Sequence, residues 1–179
     1  MTGKIVFVGG VHGVGKSFLS EPAAQRLGIR YASASRLIRE ECNAANWDVN
    51  KRVGDIDSNQ QALISAVQRL IVKEGRLILD GHFVLRDTSG GYSAIQQDVF
   101  RELRCAGLIL LLAEIDVLMT RLTNRGDLSW TKASLEEFAS AETSRAAVIS
   151  GALDIPLLVL HTPTVDEFDA ALLRVIQAD

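Results

Sequence analysis

The stretch Ile5-Val6-Phe7-Val8-Gly9-Gly10-Val11-His12-Gly13-Val14-Gly15-Lys16-Ser17 decides the architecture. Its first four residues are β-branched or aromatic and read as a short strand buried on both faces. Gly10-x-x-x-x-Gly15-Lys16-Ser17 then fits the phosphate-binding loop (P-loop) pattern with no misplaced residue. Glycines let the backbone curl until its N–H groups face a β-phosphate, where a Cβ would collide. In such loops the lysine is a mobile charge for the β- and γ-phosphates and the serine hydroxyl ligates Mg²⁺. A helix opening near Lys16 adds its N-terminal partial charge. The motif implies a bound nucleoside triphosphate, held by Gly10, His12, Gly13, Val14, Gly15, Lys16, Ser17 and Phe18.

Outward from this turn, strands and helices alternate. Phe18, Leu19, Ala23 and Leu27 mark a helix closed by Gly28, and Pro22 inside it predicts a bend. Arg30–Ser35 reads as a short strand, with Ser35 capping a helix through Leu37, Ile38 and Glu41. Asn46–Asp57 is polar and reads as a loop. Asp57 then caps a helix with Leu63, Val67, Leu70 and Ile71 on its face. Arg76–Gly81 is a second strand ending on a carboxylate, and residues 87–92 read as a flexible loop. Ile95, Val99 and Leu103 define a helix, Leu108–Ile115 a third strand, and Asp116–Arg125 another helix. Ser134-x-x-Glu137 predicts a capping box for a long helix to about Ser150. Ile155–Leu160 is the last strand. Thr164-x-x-Glu167 caps a final helix with Val165, Phe168, Leu172, Val175 and Ile176 on one face. This order predicts an α/β fold: a three-layer P-loop NTPase domain with a central parallel sheet of about five strands and helices on both faces. Ligands are then expected at the C-terminal ends of the strands.

The composition sets bounds on function. The 179 residues suit one α/β domain, 1–179, with a sizeable core. A net charge of −3 argues against a large nucleic-acid footprint. Cys42 and Cys105 form no metal spacing, and with three histidines a zinc site is not expected; both cysteines read as reduced thiols. The chain enters its first strand at once, and its longest apolar run, Leu108–Ala113, is too short for a bilayer. A cytoplasmic protein without membrane partners is the expectation.

Three stretches at the expected strand ends select a reaction. Asp80 can hold Mg²⁺ or polarise an attacking group, so Ser17 and Asp80 are the candidate metal ligands. Arg121 and Arg125, at i and i+4, repel each other unless an anion lies between them, and a migrating phosphoryl group is such an anion. On the helix from Ser134, the stripe Leu135, Phe138, Glu142, Arg145 and Ile149 brings two charged residues onto the inward face. Arg145 there needs a partner, either Glu142 or a bound nucleotide. Arg39, with Arg36 nearby, opens the acceptor side, since arginine suits bidentate phosphate contact.

Over nearly its whole length the chain resembles the P-loop nucleoside monophosphate kinases, and within them the short archaeal-type adenylate kinases and related small nucleotide kinases. Ser35-Arg36-Leu37-Ile38-Arg39 is similar to the Gly-Asp-x-x-Arg segment whose arginine holds the acceptor's phosphate, which implies acceptor contacts at Ser35 and Arg39. Leu79-Asp80-Gly81-His82-Phe83-Val84-Leu85-Arg86 resembles the family's Asp-x-His segment, implying Mg²⁺-side chemistry at Asp80 and acceptor contacts at His82 and Arg86. Arg121-x-x-x-Arg125 resembles the lid arginines, and His161-Thr162-Pro163-Thr164 the loop whose main chain meets the donor adenine, which brings in Thr162. The resemblance implies an acceptor-binding segment over about 35–75, a lid over about 121–133, and self-association.

Ser35-Arg36 departs from Gly-Asp, His82 replaces an aromatic, and the lid carries no zinc cysteines. The expected activity is ATP- and Mg²⁺-dependent transfer of the γ-phosphoryl group to a small acceptor, in the first place a nucleoside monophosphate. Lys16, Asp80, Arg121 and Arg125 would be catalytic, and Ser35, Arg39, His82, Arg86 and Arg145 would bind the acceptor. A small-metabolite or nucleoside kinase stays open beside it, as does a regulatory ATPase switch, and the sequence does not name the acceptor's base.

Overall fold

A computed structural model of the chain describes residues 5–44, 56–86 and 91–177. Five parallel strands make the sheet: β1 (Ile5–Gly9), β2 (Arg30–Ser33), β3 (Leu77–Asp80), β6 (Cys105–Leu112) and β7 (Leu157–His161), in the order β2-β3-β1-β6-β7. Every residue of β1 and β3 is buried, as continuous apolar runs require between two layers of helix. The helices are α1 (Lys16–Leu27), α2 (Ala34–Ala44), α3 (Ile56–Glu74), α4 (Gln97–Leu103), α5 (Ile115–Asn124), α6 (Lys132–Leu153) and α7 (Val165–Gln177). α1 and α7 pack together on one side of the sheet, while α3, α4 and α6 pack on the other.

The strand order reverses at β1, which has β3 on one side and β6 on the other. The register sets Val8 opposite Asp80 and Ser33 opposite the same Asp80. Gly81 donates its N–H to Val8 O at 3.0 Å, so the exit of β3 is fastened to the exit of β1. The P-loop therefore leaves the sheet at its switch point with the β3 carboxylate beside it.

Several boundaries differ from those read in the sequence. β6 begins at Cys105, three residues earlier than expected, and ends at Leu112. Gly107 makes this possible, because a Cβ there would come within 2.7 Å of Val175 and 2.9 Å of Pro156. Ala113-Glu114 then turn the chain into α5. α2 begins at Ala34, so Ser35 lies in its first turn and is not its cap, and α3 begins at Ile56, ahead of Asp57. The loop expected over Asn46–Asp57 lies outside the described residues up to residue 55.

The capping box of α6 lies one turn earlier than Ser134-x-x-Glu137. Ser134 N donates to Thr131 Oγ1 and Thr131 N to Ser134 Oγ, at 3.1 and 3.0 Å, making Thr131 the cap. Thr164 and Glu167 do form their box on α7, although Val165 is exposed. α1 runs unbroken through Pro22. Of the loop read over 87–92, residues 87–90 are not described; Tyr92 instead starts a strand. β4 (Val84–Arg86) and β5 (Tyr92–Ala94) pair antiparallel as a hairpin beside α6.

Candidate active site

The loop between β1 and α1 is shaped by its glycines. Gly10 has φ 136°, and a Cβ there would meet Leu111 O at 2.5 Å, so only glycine passes under β6. Lys16 is folded back across the loop, donating to Gly10 O at 2.6 Å and Val11 O at 3.1 Å. Burial lowers its pKa to about 8, against the opposing pull of the Glu142 and Asp80 carboxylates. A lysine stored on backbone carbonyls is free to exchange them for phosphate oxygens.

Asp80 is 3% exposed and shares Oδ2 between two hydroxyl donors, Ser17 Oγ at 2.8 Å and Tyr31 OH at 2.6 Å. Burial and this hydrogen bond push the Tyr31 phenol up to about 12, keeping it a donor. Among the described residues Asp80 has no ion-pair partner. A nearly buried carboxylate with no cation in ion-pair contact among the described residues, its oxygen against the Ser17 hydroxyl, fits the hard-oxygen donor set that Mg²⁺ takes beside a triphosphate.

A cavity of about 430 Å³ opens from this point. His12, Gly13, Gly15, Lys16, Ser17, Phe18, Ser35, Asp80, His82 and Arg125 line it, with Phe18 76% exposed. Its far part is apolar, from Ile38 of α2, Leu63 of α3, Leu85 of β4, Ile95, and Val99 and Phe100 of α4; Asn59 and Gln60 bring two amides. Gly10 and Val14 belong to the loop without lining the cavity.

The remaining arginines are engaged elsewhere. Arg121 Nη1 donates to Gly13 O at 3.1 Å and Val14 O at 3.3 Å, alongside the P-loop. Arg39 Nε bonds Ser35 O of its own helix at 3.2 Å, outside the cavity lining. Arg86 stacks 4.4 Å over the Trp130 ring and donates to Ser129 O at 3.1 Å. Arg145 grips Ile95 O with Nε and Nη2 at 2.9 and 2.6 Å, so Glu142 is not its partner. Thr162, at the end of β7, has φ 43° and donates its N–H to Leu112 O at 2.8 Å, away from this cavity.

A family model described as an AAA domain matches residues 9–138, from the P-loop into α6. The chain belongs to this AAA-domain family. No curated protein sequence matches it. The chain's fold is also that of several solved structures, kinases among them. Shikimate kinase from Acinetobacter baumannii, in complex with shikimate, aligns over 99% of this chain and 94% of its own with TM-score 0.64 and 11% identity. A gluconokinase from Sinorhizobium meliloti aligns over 98% and 94%, with TM-score 0.58 and 17% identity. YorR protein from Bacillus subtilis, in complex with phosphorylated GDP, aligns over 97% and 95%, with TM-score 0.56 and 12% identity. The AAA domain therefore has a P-loop kinase-like fold. At these identities the likeness is one of architecture and does not reach the substrate.

Three side chains around the site have contacts that only the three-dimensional structure shows. Tyr31 had no signal beyond its place near a strand end. Trp130, 7% exposed, belongs to an aromatic cluster in which its ring lies 5.6 Å from His12 and 5.3 Å from Phe138. His12 in turn lies 4.3 Å from His82. Both imidazoles are held below the ordinary range, His12 to about 3, chiefly by burial and then by nearby positive charge, with His82 adding to the effect on His12. Glu142 is the third. Its place on the inward stripe was readable, yet its carboxylate accepts from backbone N–H groups of two other segments.

Proposed function

We propose that this protein transfers the γ-phosphoryl group of ATP to a small acceptor seated in the 430 Å³ cavity, most simply a nucleoside monophosphate. The observation that carries the reading is the continuity of one space: it begins at Lys16, Ser17 and Asp80 and ends among Ile38, Leu63, Leu85, Val99 and Phe100. An apolar end with the Asn59 and Gln60 amides suits a flat heteroaromatic base, whose faces want apolar contact and whose edge wants hydrogen bonds. Mg²⁺ held by Ser17 and Asp80 would offset phosphate charge. Lys16, moving off Gly10 O, and Arg125 supply the cations nearest the transferred group, with Arg121 beside the loop to support them. Arg39, Arg86 and Arg145 are proposed to contribute through the walls they hold and not through phosphate contact in this conformation.

One observation favours a second reading. Among the described residues Arg125 is the single arginine lining the cavity, so an acceptor without its own phosphate, a nucleoside or a small metabolite, leaves fewer charges uncompensated. The relatives in fold include a protein in complex with shikimate and one in complex with phosphorylated GDP, so architecture alone does not choose.

The experiment is transfer of label from γ-labelled ATP with Mg²⁺ to a panel of nucleoside monophosphates, nucleosides and sugar acids, with wild type and Lys16→Ala side by side. A labelled nucleoside diphosphate made only by wild type supports the first reading. A labelled nucleoside or sugar acid supports the second. Label released solely as inorganic phosphate would sink both in favour of an ATPase.

A further inference from the structure

Glu142 lies on α6, 0% exposed, and its two oxygens serve different parts of the molecule. Oε2 accepts the Gly10 N–H at 3.1 Å, at the first residue of the P-loop motif. Oε1 accepts the N–H groups of Phe83 and Val84, both at 2.8 Å, where the chain leaves Asp80-Gly81-His82 and starts the hairpin. That hairpin carries Leu85, and Ile95 follows it, both in the cavity wall.

From this we infer that Glu142 is a positioning residue, which holds the phosphate-binding loop and the acceptor wall at a fixed separation through one carboxylate. The inference rests on the phosphoryl-transfer reading above for its consequence, but not for its geometry.

A structural explanation, in which Glu142 only satisfies free N–H groups, accounts less well for the arrangement. Burying a carboxylate is costly, and three backbone donors from one segment would meet that cost as well. Here the donors come from two segments, at sequence separations of 132 on one side and 59 and 58 on the other. The His82 Nδ1 atom, buried and without a hydrogen-bond partner among the described residues, lies 3.6 Å from the same Oε1, so the imidazole that lines the cavity is seated against this carboxylate as well. In-line transfer is sensitive to such spacing, since a displacement of about 1 Å between donor and acceptor can cost about a hundredfold in rate.

The test uses the whole chain, with a non-hydrolysable ATP analogue and Mg²⁺ as the probe and backbone hydrogen exchange as one readout. In wild type, filling the P-loop is expected to slow exchange across Phe83–Arg86 at least threefold, although the analogue need not touch that segment. In Glu142→Gln, which keeps the side chain's size but places an amide NH₂ against one set of N–H donors, the analogue is expected to bind within threefold of wild type while this protection disappears. Turnover with ATP and the acceptor found in the panel should then fall thirtyfold or more, with the ATP KM within threefold.

Unchanged turnover in a folded Glu142→Gln overturns the inference. So does a loss of ATP binding equal to the loss of turnover, which is the mark of a merely structural role. Should the variant fail to fold, the wild-type exchange arm still decides, because absence of hairpin protection on analogue binding overturns the inference by itself. Should wild type transfer phosphate to no acceptor, the phosphoryl-transfer reading fails, and the exchange arms still test the coupling.

Discussion

Ser17 Oγ donates to Asp80 Oδ2 at 2.8 Å, joining the last residue of the P-loop motif to the last residue of β3 across 63 positions of sequence. The contact follows from topology: β1 and β3 are neighbours in register, so their exits are neighbours too. We expect Asp80→Asn to keep both hydroxyl hydrogen bonds, since the amide oxygen still accepts, while losing the negative charge. Turnover should then fall by about 10²-fold or more with a raised Mg²⁺ requirement and an unchanged melting temperature. Steady-state assays across a Mg²⁺ titration check this. A variant with normal turnover would remove Asp80 from the reaction.

Lys16 gives the pH dependence. Its pKa of about 8 in the free protein lies below the ordinary lysine value because burial penalises the charge. Above about pH 8 the folded chain has lost this proton while the unfolded chain still holds it, so this group's contribution to stability rises with pH until the ordinary lysine range is reached. Nucleotide binding runs the other way. A triphosphate draws the Lys16 pKa upward, so ATP binding near pH 8 takes up a proton and weakens as pH climbs. Calorimetry in two buffers of different ionisation enthalpy measures the uptake. It should be present in wild type and absent in Lys16→Ala.

The fold was legible where one physical rule dominates. An unbroken apolar run followed by Gly10-x-x-x-x-Gly15-Lys16-Ser17 leaves little choice, and the parallel five-stranded sheet follows from strands of that kind alternating with helices. The hairpin was not legible, because three-residue strands such as Val84–Arg86 carry too little period to register. Nor were the arginine partners. Sequence gives the helix face of Arg145, but a long side chain reaches whatever carbonyl the tertiary fold presents, here Ile95 O. Glu142 shows the same division: the inward stripe predicted its burial, whereas its donors lie on segments that only folding brings together.

Arg86 gives a prediction about the segment between α5 and α6. Its guanidinium lies 4.4 Å from the Trp130 ring centre and bonds Ser129 O, so it clasps this segment from the hairpin side. Removing a cation–π contact and one hydrogen bond at a partly exposed site costs about 1–2 kcal/mol. Arg86→Ala should therefore melt roughly 2–8 °C lower at this chain length. The chain has two tryptophans, so the emission test uses a Trp47→Phe background, leaving Trp130 as the single indole. Arg86→Ala there should shift the Trp130 emission to the red. An unshifted spectrum would show that the clasp does not hold the indole.

Gly9 gives the sharpest steric prediction. It is the last residue of β1, and a Cβ built on it would lie 2.1 Å from Phe83 Cε2 and 2.6 Å from Cδ2. The ring cannot yield easily. Phe83 is fully buried, with the Phe7 ring at 5.0 Å and the Phe100 ring at 5.6 Å, and its own N–H is tied to Glu142. Overpacking of this kind costs about 1–3 kcal/mol, so Gly9→Ala should melt roughly 2–12 °C below wild type. Because the cause is one contact, it is tested by its relief. Phe83→Leu alone leaves a void and destabilises, yet in Gly9→Ala/Phe83→Leu the added methyl group enters space the ring has left. The double variant should thus be more stable than the sum of the two single losses by about 0.5–3 kcal/mol. Additive losses in a denaturant-unfolding cycle would place the strain at Gly9 somewhere other than the Phe83 ring.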